Sequence, residues 1–218
     1  MSYNVSFYSS SVGQKIISAL TGLFLCAFLV VHIAGNLLLF KNDRGRAFNA
    51  YAESNATSIL IRSLEIVLFA GFLIHIFWGI RAWLFNRRAR LQGYVENRAS
   101  ENSSLTSRIM ILSGSIVLLF LVVHLKSFWV PMRFTGGREV SDFEIVKAAF
   151  QNSWYDIFYL ACLALVGFHL KQGFQSAFQT FGVRPLWRKP IDCMAAIFWL
   201  IIPIGFACMP VYFFFARG

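Results

Sequence analysis

The chain holds four histidines, His32, His75, His124 and His169, and each lies inside a different apolar stretch. The polar connectors hold none. An imidazole near neutral pH serves as a metal ligand, a proton carrier or a hydrogen-bond partner. Inside an apolar span an ionisable side chain is costly, so it marks a functional position by default. One such histidine is equally well explained as a polar link between helices. Four of them, one per stretch and none elsewhere, form a pattern that helix pairing alone does not predict.

Their places along the stretches sharpen the reading. His32 comes 16 residues after Ile16 and 8 before Phe40, and His124 comes 15 after Ile109 and 6 before Val130. His169 comes 12 after Ile157 and 9 before Phe178, and His75, the most central, comes 11 after Leu64 and 10 before Phe85. Consecutive spans run in opposite directions, so the histidines sort by depth into two pairs, His32 with His124 and His75 with His169. Two imidazoles at one depth suit a six-coordinate iron whose other four ligands are porphyrin nitrogens. Facing helices of a bundle commonly build such sites. Two pairs predict two b-type haems, about 10 Å apart in depth at about 1.5 Å of rise per residue. Zinc fits less well, because no Cys, Asp or Glu accompanies the histidines to complete four ligands. A proton relay accounts for the number of histidines but not for their pairing. Gly35, Gly71, Gly79 and Gly173 lie three or four residues from a histidine. They serve equally as clearance for a flat macrocycle or as helix contacts.

These residues need elements that hold them in an apolar solvent. Hydrophobic residues make up 57% of the 218 and charged residues only 14%, against about a quarter charged in soluble domains. Five stretches are long enough to span a bilayer: Ile16–Phe40, Leu64–Phe85, Ile109–Val130, Ile157–Phe178 and Ile191–Phe215. About 20 apolar residues suffice. None alternates strictly, which excludes barrel strands and leaves helices. The prediction is an all-α integral membrane protein, one transmembrane domain over residues 1–218, with the first four of five helices bundled around two haems. The connectors are polar and too short to fold alone. The first span is too long for the core of a cleaved signal and no small-residue cleavage site follows it, so it is expected to be retained. The net charge is +10. The basic residues flank the spans, densest at RRAR (87–90), which fits membrane orientation better than nucleic acid and places the N-terminus inside. Cys26, Cys162, Cys193 and Cys208 all fall in apolar spans without a CxxC pair. They are expected to be small buried hydrophobes, and the pattern argues against structural zinc and a covalent c-type haem.

The whole chain resembles the five-helix, di-haem cytochrome b membrane anchor of succinate dehydrogenase and fumarate reductase, closest to the b558-type branch of menaquinone-using bacteria. SSVGQKIISALTGLFL opens the first helix; HIAGNLLLF followed by FNAYA matches the family's H-x-x-G-N-L and F-N-x-Y-A pattern; RSLEIVLFAGFLIH (62–75) and HLKQGFQSAFQTFG (169–182) resemble its second and fourth helices. The resemblance implies His32 and His124 on an outer haem and His75 and His169 on an inner one. It also implies a location in the bacterial inner membrane with the N-terminus cytoplasmic. The expected function is electron transfer between an iron–sulfur subunit and membrane quinone, expected to be menaquinone, in the tricarboxylic acid cycle or in fumarate respiration. Succinate chemistry belongs to a flavoprotein subunit carrying FAD. The resemblance implies that this chain docks both partners on its cytoplasmic face, with the basic loops after the second and fourth helices as the expected surface. Some di-haem members carry a glutamate two residues before the fourth-helix ligand, in a transmembrane proton pathway; here that position is Gly167.

A quinone needs hydrogen-bond partners and a proton donor or acceptor near a haem edge. Glu65 and Asp156, at the starts of the second and fourth helices, are the first candidates, with Tyr51 and Tyr159 after them. Haem propionates prefer basic or hydroxyl partners. Ser18, Lys15, Arg81 and Arg108 are candidates for the inner haem, and Lys126 and Arg62 for the outer one. Each also reads as an ordinary interfacial residue. Two other functions compete: the cytochrome b subunit of a formate dehydrogenase or hydrogenase, and a haem-free anchor or transporter.

Overall fold

A computed structural model describes residues 8, 10–89, 105–134, 140–183 and 187–216. These residues form five helices long and apolar enough to cross a membrane, Val12–Phe40, Ile59–Phe85, Met110–Phe134, Ser153–Thr180 and Lys189–Phe215. There is no strand among the described residues. The chain is an all-α, multi-pass membrane protein.

The first span is α1 (Ser11–Asn36), extended by a 3₁₀ turn to Phe40. Ser10 caps it, its hydroxyl accepting from Gly13 N at 2.9 Å. A short helix α2 (Arg46–Thr57) leads into the second span, α3 (Ile59–Ala89). The third span is α4 (Leu105–His124), a π turn (Leu125–Trp129) and α5 (Val130–Phe134). A second short helix, α6 (Asp142–Ala149), precedes the fourth span, α7 (Ser153–Thr180). Asn152 caps α7 by accepting from Trp154 N and Tyr155 N. The fifth span is α8 (Arg188–Ala196), a π turn (Ile197–Ile201) and α9 (Ile202–Phe215).

Both π turns have a chemical cause. Each ends two residues before a proline, Pro131 or Pro203. Proline has no N–H, so the carbonyl four residues earlier loses its helical donor and the turn widens.

The polar connectors carry more structure than their composition suggests. Arg44 and Gly45 are left-handed (φ 58° and 78°), and α2 starts there. Phe143 N donates to Asn49 Oδ1 at 2.9 Å, joining α6 to α2. The two short helices close one end of the bundle, over a core that includes Leu39, Phe48, Val146, Phe150 and Phe213. Because their anchoring contacts come from distant residues, neither helix shows as an apolar run in the sequence.

α1 packs against α3 and α7, α4 against α7, and the fifth span against α7 and α1. Outward faces stay apolar, as at Ile59, Ile66 and Leu73 on α3, where lipid rather than protein covers them. Of the cysteines, Cys26 and Cys162 are buried as expected, but Cys193 and Cys208 are exposed on the fifth span. That span has only one packed side, so half of its apolar residues face outward.

Candidate functional site

The four histidines form two pairs inside the bundle. The rings of His32 (α1) and His124 (α4) have centroids 5.8 Å apart with planes at 86°. Those of His75 (α3) and His169 (α7) are 6.4 Å apart at 88°. Among the described residues no group of three or more His, Cys, Asp or Glu surrounds either pair.

The level of each pair can be read along the helices. A Cβ on Gly22 would lie 3.1 Å from His75 Cε1, so Gly22 marks the level of His75 on α1, ten residues before His32. A Cβ on Gly114 would lie 3.3 Å from His169 Cε1, and Gly114 is ten residues before His124 on α4. Ten residues at about 1.5 Å each separate the pairs by about 15 Å. This exceeds the roughly 10 Å drawn from span midpoints, chiefly because α1 begins at Ser11, before the apolar run, which moves the midpoint of the first span away from His32.

Each ring is oriented through Nδ1 or by packing. His75 Nδ1 donates to the Ser18 carbonyl at 3.1 Å and lies 3.3 Å from Thr21 Oγ1. His169 Nδ1 is 3.4 Å from Ser113 Oγ. His124 Nδ1 is 3.1 Å from the Tyr159 hydroxyl. His32 is held mainly by rings: Phe28 stacks on it at 5.2 Å and Phe206 packs at 5.4 Å. Among the described residues, no Nε2 of the four makes a hydrogen bond to protein. Metal-bound histidines show this division, one nitrogen tied to a partner and the other left for the metal.

The residues fit a bis-histidine haem. Two metal–imidazole bonds of about 2 Å, plus the half-width of each ring, require centroids about 6 Å apart. Both pairs meet that distance. A Cβ on Gly173 would meet nothing within 4 Å, and one on Gly79 only Ser18 Oγ at 4.0 Å, so both glycines adjoin open space one turn beyond the His75–His169 pair. Gly35 and Gly71 serve helix packing instead. Cβ atoms there would strike the Tyr51 ring at 2.5 Å and the Phe24 ring at 2.7 Å.

The other candidates separate. Glu65 accepts from Trp129 Nε1 and pairs with Arg133 at 3.4 Å and Arg62 at 3.9 Å. It therefore clasps α3 to the end of the third span, and Arg62 serves that carboxylate. Trp129 and Arg133 were not singled out in the sequence, because nothing local links them to Glu65. Tyr159 is buried with its hydroxyl on His124, a ligand-side contact. Asp156 is buried in the first turn of α7, where the helix dipole favours a carboxylate. Tyr51 lies against Gly35, three residues from His32. Ser18 reaches His75 through its carbonyl. Lys15 and Lys126 are exposed. Arg81 is exposed and stacks on Trp78 at 5.3 Å. The side chain of Arg108 falls outside the described residues, as do Arg90 and the rest of the loop to 104. At Gly167 a Cβ would come 2.7 Å from the Trp199 carbonyl, the one freed by Pro203. The fifth span thus occupies the place of any longer side chain there.

An internal repeat accounts for the geometry. LTG (20–22) and FLVVH (28–32) in α1 recur as LSG (112–114) and FLVVH (120–124) in α4. His75-x-x-x-Gly79 in α3 recurs as His169-x-x-x-Gly173 in α7. Each pair joins repeat-equivalent histidines, and Thr21–Gly22 and Ser113–Gly114 do the same work for His75 and His169. This self-similarity is the signal that would have found Thr21, Gly22, Ser113 and Gly114.

Comparison with family models, curated proteins and solved structures gives no match.

Proposed function

We propose that the chain is the di-haem cytochrome b anchor of a succinate:quinone oxidoreductase, a subunit of succinate dehydrogenase or fumarate reductase. The carrying observation is the two facing histidine pairs, about 6 Å between rings on levels about 15 Å apart. Bound haem iron would supply one-electron transfer between those levels. His32 and His124 hold one group, His75 and His169 the other. Phe28, Phe120, Phe128 and Phe206 pack on the first pair and keep water from it. The motif resemblance favours this enzyme over formate dehydrogenase or hydrogenase subunits, as does the layout of one histidine per span.

In this reading the N-terminus is cytoplasmic in a bacterial inner membrane. The flavoprotein and iron–sulfur partners dock on that side. Menaquinone reacts at the opposite end, near Glu65 and the His32–His124 pair. Ser18, Lys15 and Arg81 are the proposed propionate partners of the inner haem, with Arg108, whose side chain lies outside the described residues, and Lys126 and Arg62 those of the outer one.

The test is a dithionite-reduced minus oxidised spectrum of the purified membrane complex with a haem-to-protein ratio. Two b haems per chain are expected, with one lost and the other kept in His75→Ala. A haem-free protein would overturn the proposal and leave a haem-free anchor or transporter. Co-purification with formate dehydrogenase or hydrogenase subunits would overturn the choice of enzyme.

A further inference from the structure

The two pairs are wired differently. Thr21 Oγ1 donates to the Ile17 carbonyl at 2.8 Å and Ser113 Oγ to the Met110 carbonyl at 3.0 Å. With their protons committed, these hydroxyls only accept from imidazole, and the Ser18 carbonyl only accepts in any case. His75 and His169 therefore both carry Nδ1–H and a bare Nε2. The His32–His124 pair lacks this arrangement. The Asn36 amide donates to the His32 carbonyl at 2.8 Å and lies 3.5 Å from its Nδ1, too long for a firm bond. Among the described residues, Tyr159 is the one hydrogen-bond partner of the His124 ring.

The repeat explains the asymmetry. Tyr159 stands ten residues before His169, and Glu65 ten before His75. Glu65 is the positional counterpart of Tyr159, but its carboxylate is taken by Trp129 and Arg133. His32 is left without an equivalent of the tyrosine.

We propose that Tyr159 is the positioning residue of the His32–His124 pair: its phenol oxygen accepts the Nδ1–H of His124, leaves Nε2 as the ligating nitrogen, and sets the reduction potential at this pair independently of the other. The inference rests on the haem reading above. A phenol that donated to Nδ1 instead would place the hydrogen on Nε2 and abolish the ligand. A hydrogen bond accepted from the distal nitrogen makes the ligand more basic, which favours ferric iron. Its loss raises the potential.

The test is a redox titration of the α-band in the complete wild-type complex and in Tyr159→Phe, which keeps the ring packing. His124→Ala identifies the component that belongs to this pair. In Tyr159→Phe that component alone should become easier to reduce, by roughly three- to tenfold, about 28–59 mV for one electron at 59 mV per decade. In Ser113→Ala the other component alone should move. Loss of only the His124 component in Tyr159→Phe also supports positioning, because the phenyl ring still fills the site. Unchanged potentials with both haems present would overturn the proposal while leaving the haem reading intact. Equal movement or loss of both components would overturn it as a general packing defect. A wild type with no haem would overturn the underlying reading itself.

Discussion

Gly22 and Gly114 set the clearance for the histidines they face. Each leaves only 3.1 to 3.3 Å between a would-be Cβ and the Cε1 of His75 or His169. A larger side chain forces the ring off its bond to Ser18 or Ser113. Gly114→Val is expected to cost about 1–3 kcal/mol by overpacking and, if the proposed haems are bound, to remove the His75–His169 haem signal while the other persists, as read by difference spectroscopy. Glu65 makes the opposite prediction. If quinone exchanges protons there, Glu65→Gln lowers quinone turnover by about 10²-fold or more with both haem signals intact. Unaltered turnover would reduce Glu65 to the clasp it forms with Trp129 and Arg133.

At the scale of elements, proline placement shapes the third and fifth spans. The π turn before Pro131 directly follows His124. It brings Phe128 to 5.2 Å from the His124 ring, while the next residue, Trp129, reaches Glu65. The π turn before Pro203 leaves the Trp199 carbonyl without its helical donor and directs it at Gly167. A glutamate at 167 has no room beside that carbonyl. Gly167→Glu should therefore separate α7 from the fifth span at a cost of about 1–3 kcal/mol, seen as a lower thermal midpoint of the detergent-solubilised protein. An unchanged midpoint would mean that the fifth span yields easily.

Across the whole molecule, the repeat pairs α1 with α4 and α3 with α7, and both histidine pairs join equivalent positions. α1 and α4 run in the same direction, so the pseudo-twofold relation runs along the bundle and passes between the rings of each pair. The fifth span breaks the symmetry by packing on α7 and α1. Charge is distributed unevenly as well. If the chain carries the two haems and docks the peripheral subunits proposed above, neutralising RRAR (87–90) to glutamine should leave both haem signals and release those subunits at lower salt, since screened surface charge contributes less as ionic strength rises. Release at the same salt concentration as wild type would move the docking surface elsewhere.

The five spans and the pairing of histidines by depth were legible from the sequence, because a bilayer imposes a length and an apolar composition on every crossing helix and alternating direction sorts depth by position. The repeat is present in the sequence at FLVVH, but it stands out only once both histidine pairs are seen to join equivalent positions. The connector helices were not legible, since Phe48, Asn49 and Phe143 acquire partners only when distant segments meet. Nor were the contacts that orient the rings. Thr21 and Ser113 look like ordinary small residues, and Ser18 like a propionate partner, until α3 and α7 bring imidazoles onto them. Tyr159 reads as a quinone-site candidate until α4 presents His124 to its hydroxyl. Composition and periodicity act along one chain segment, whereas a hydrogen bond between helices depends on their rotation and register. Only the packed bundle sets those.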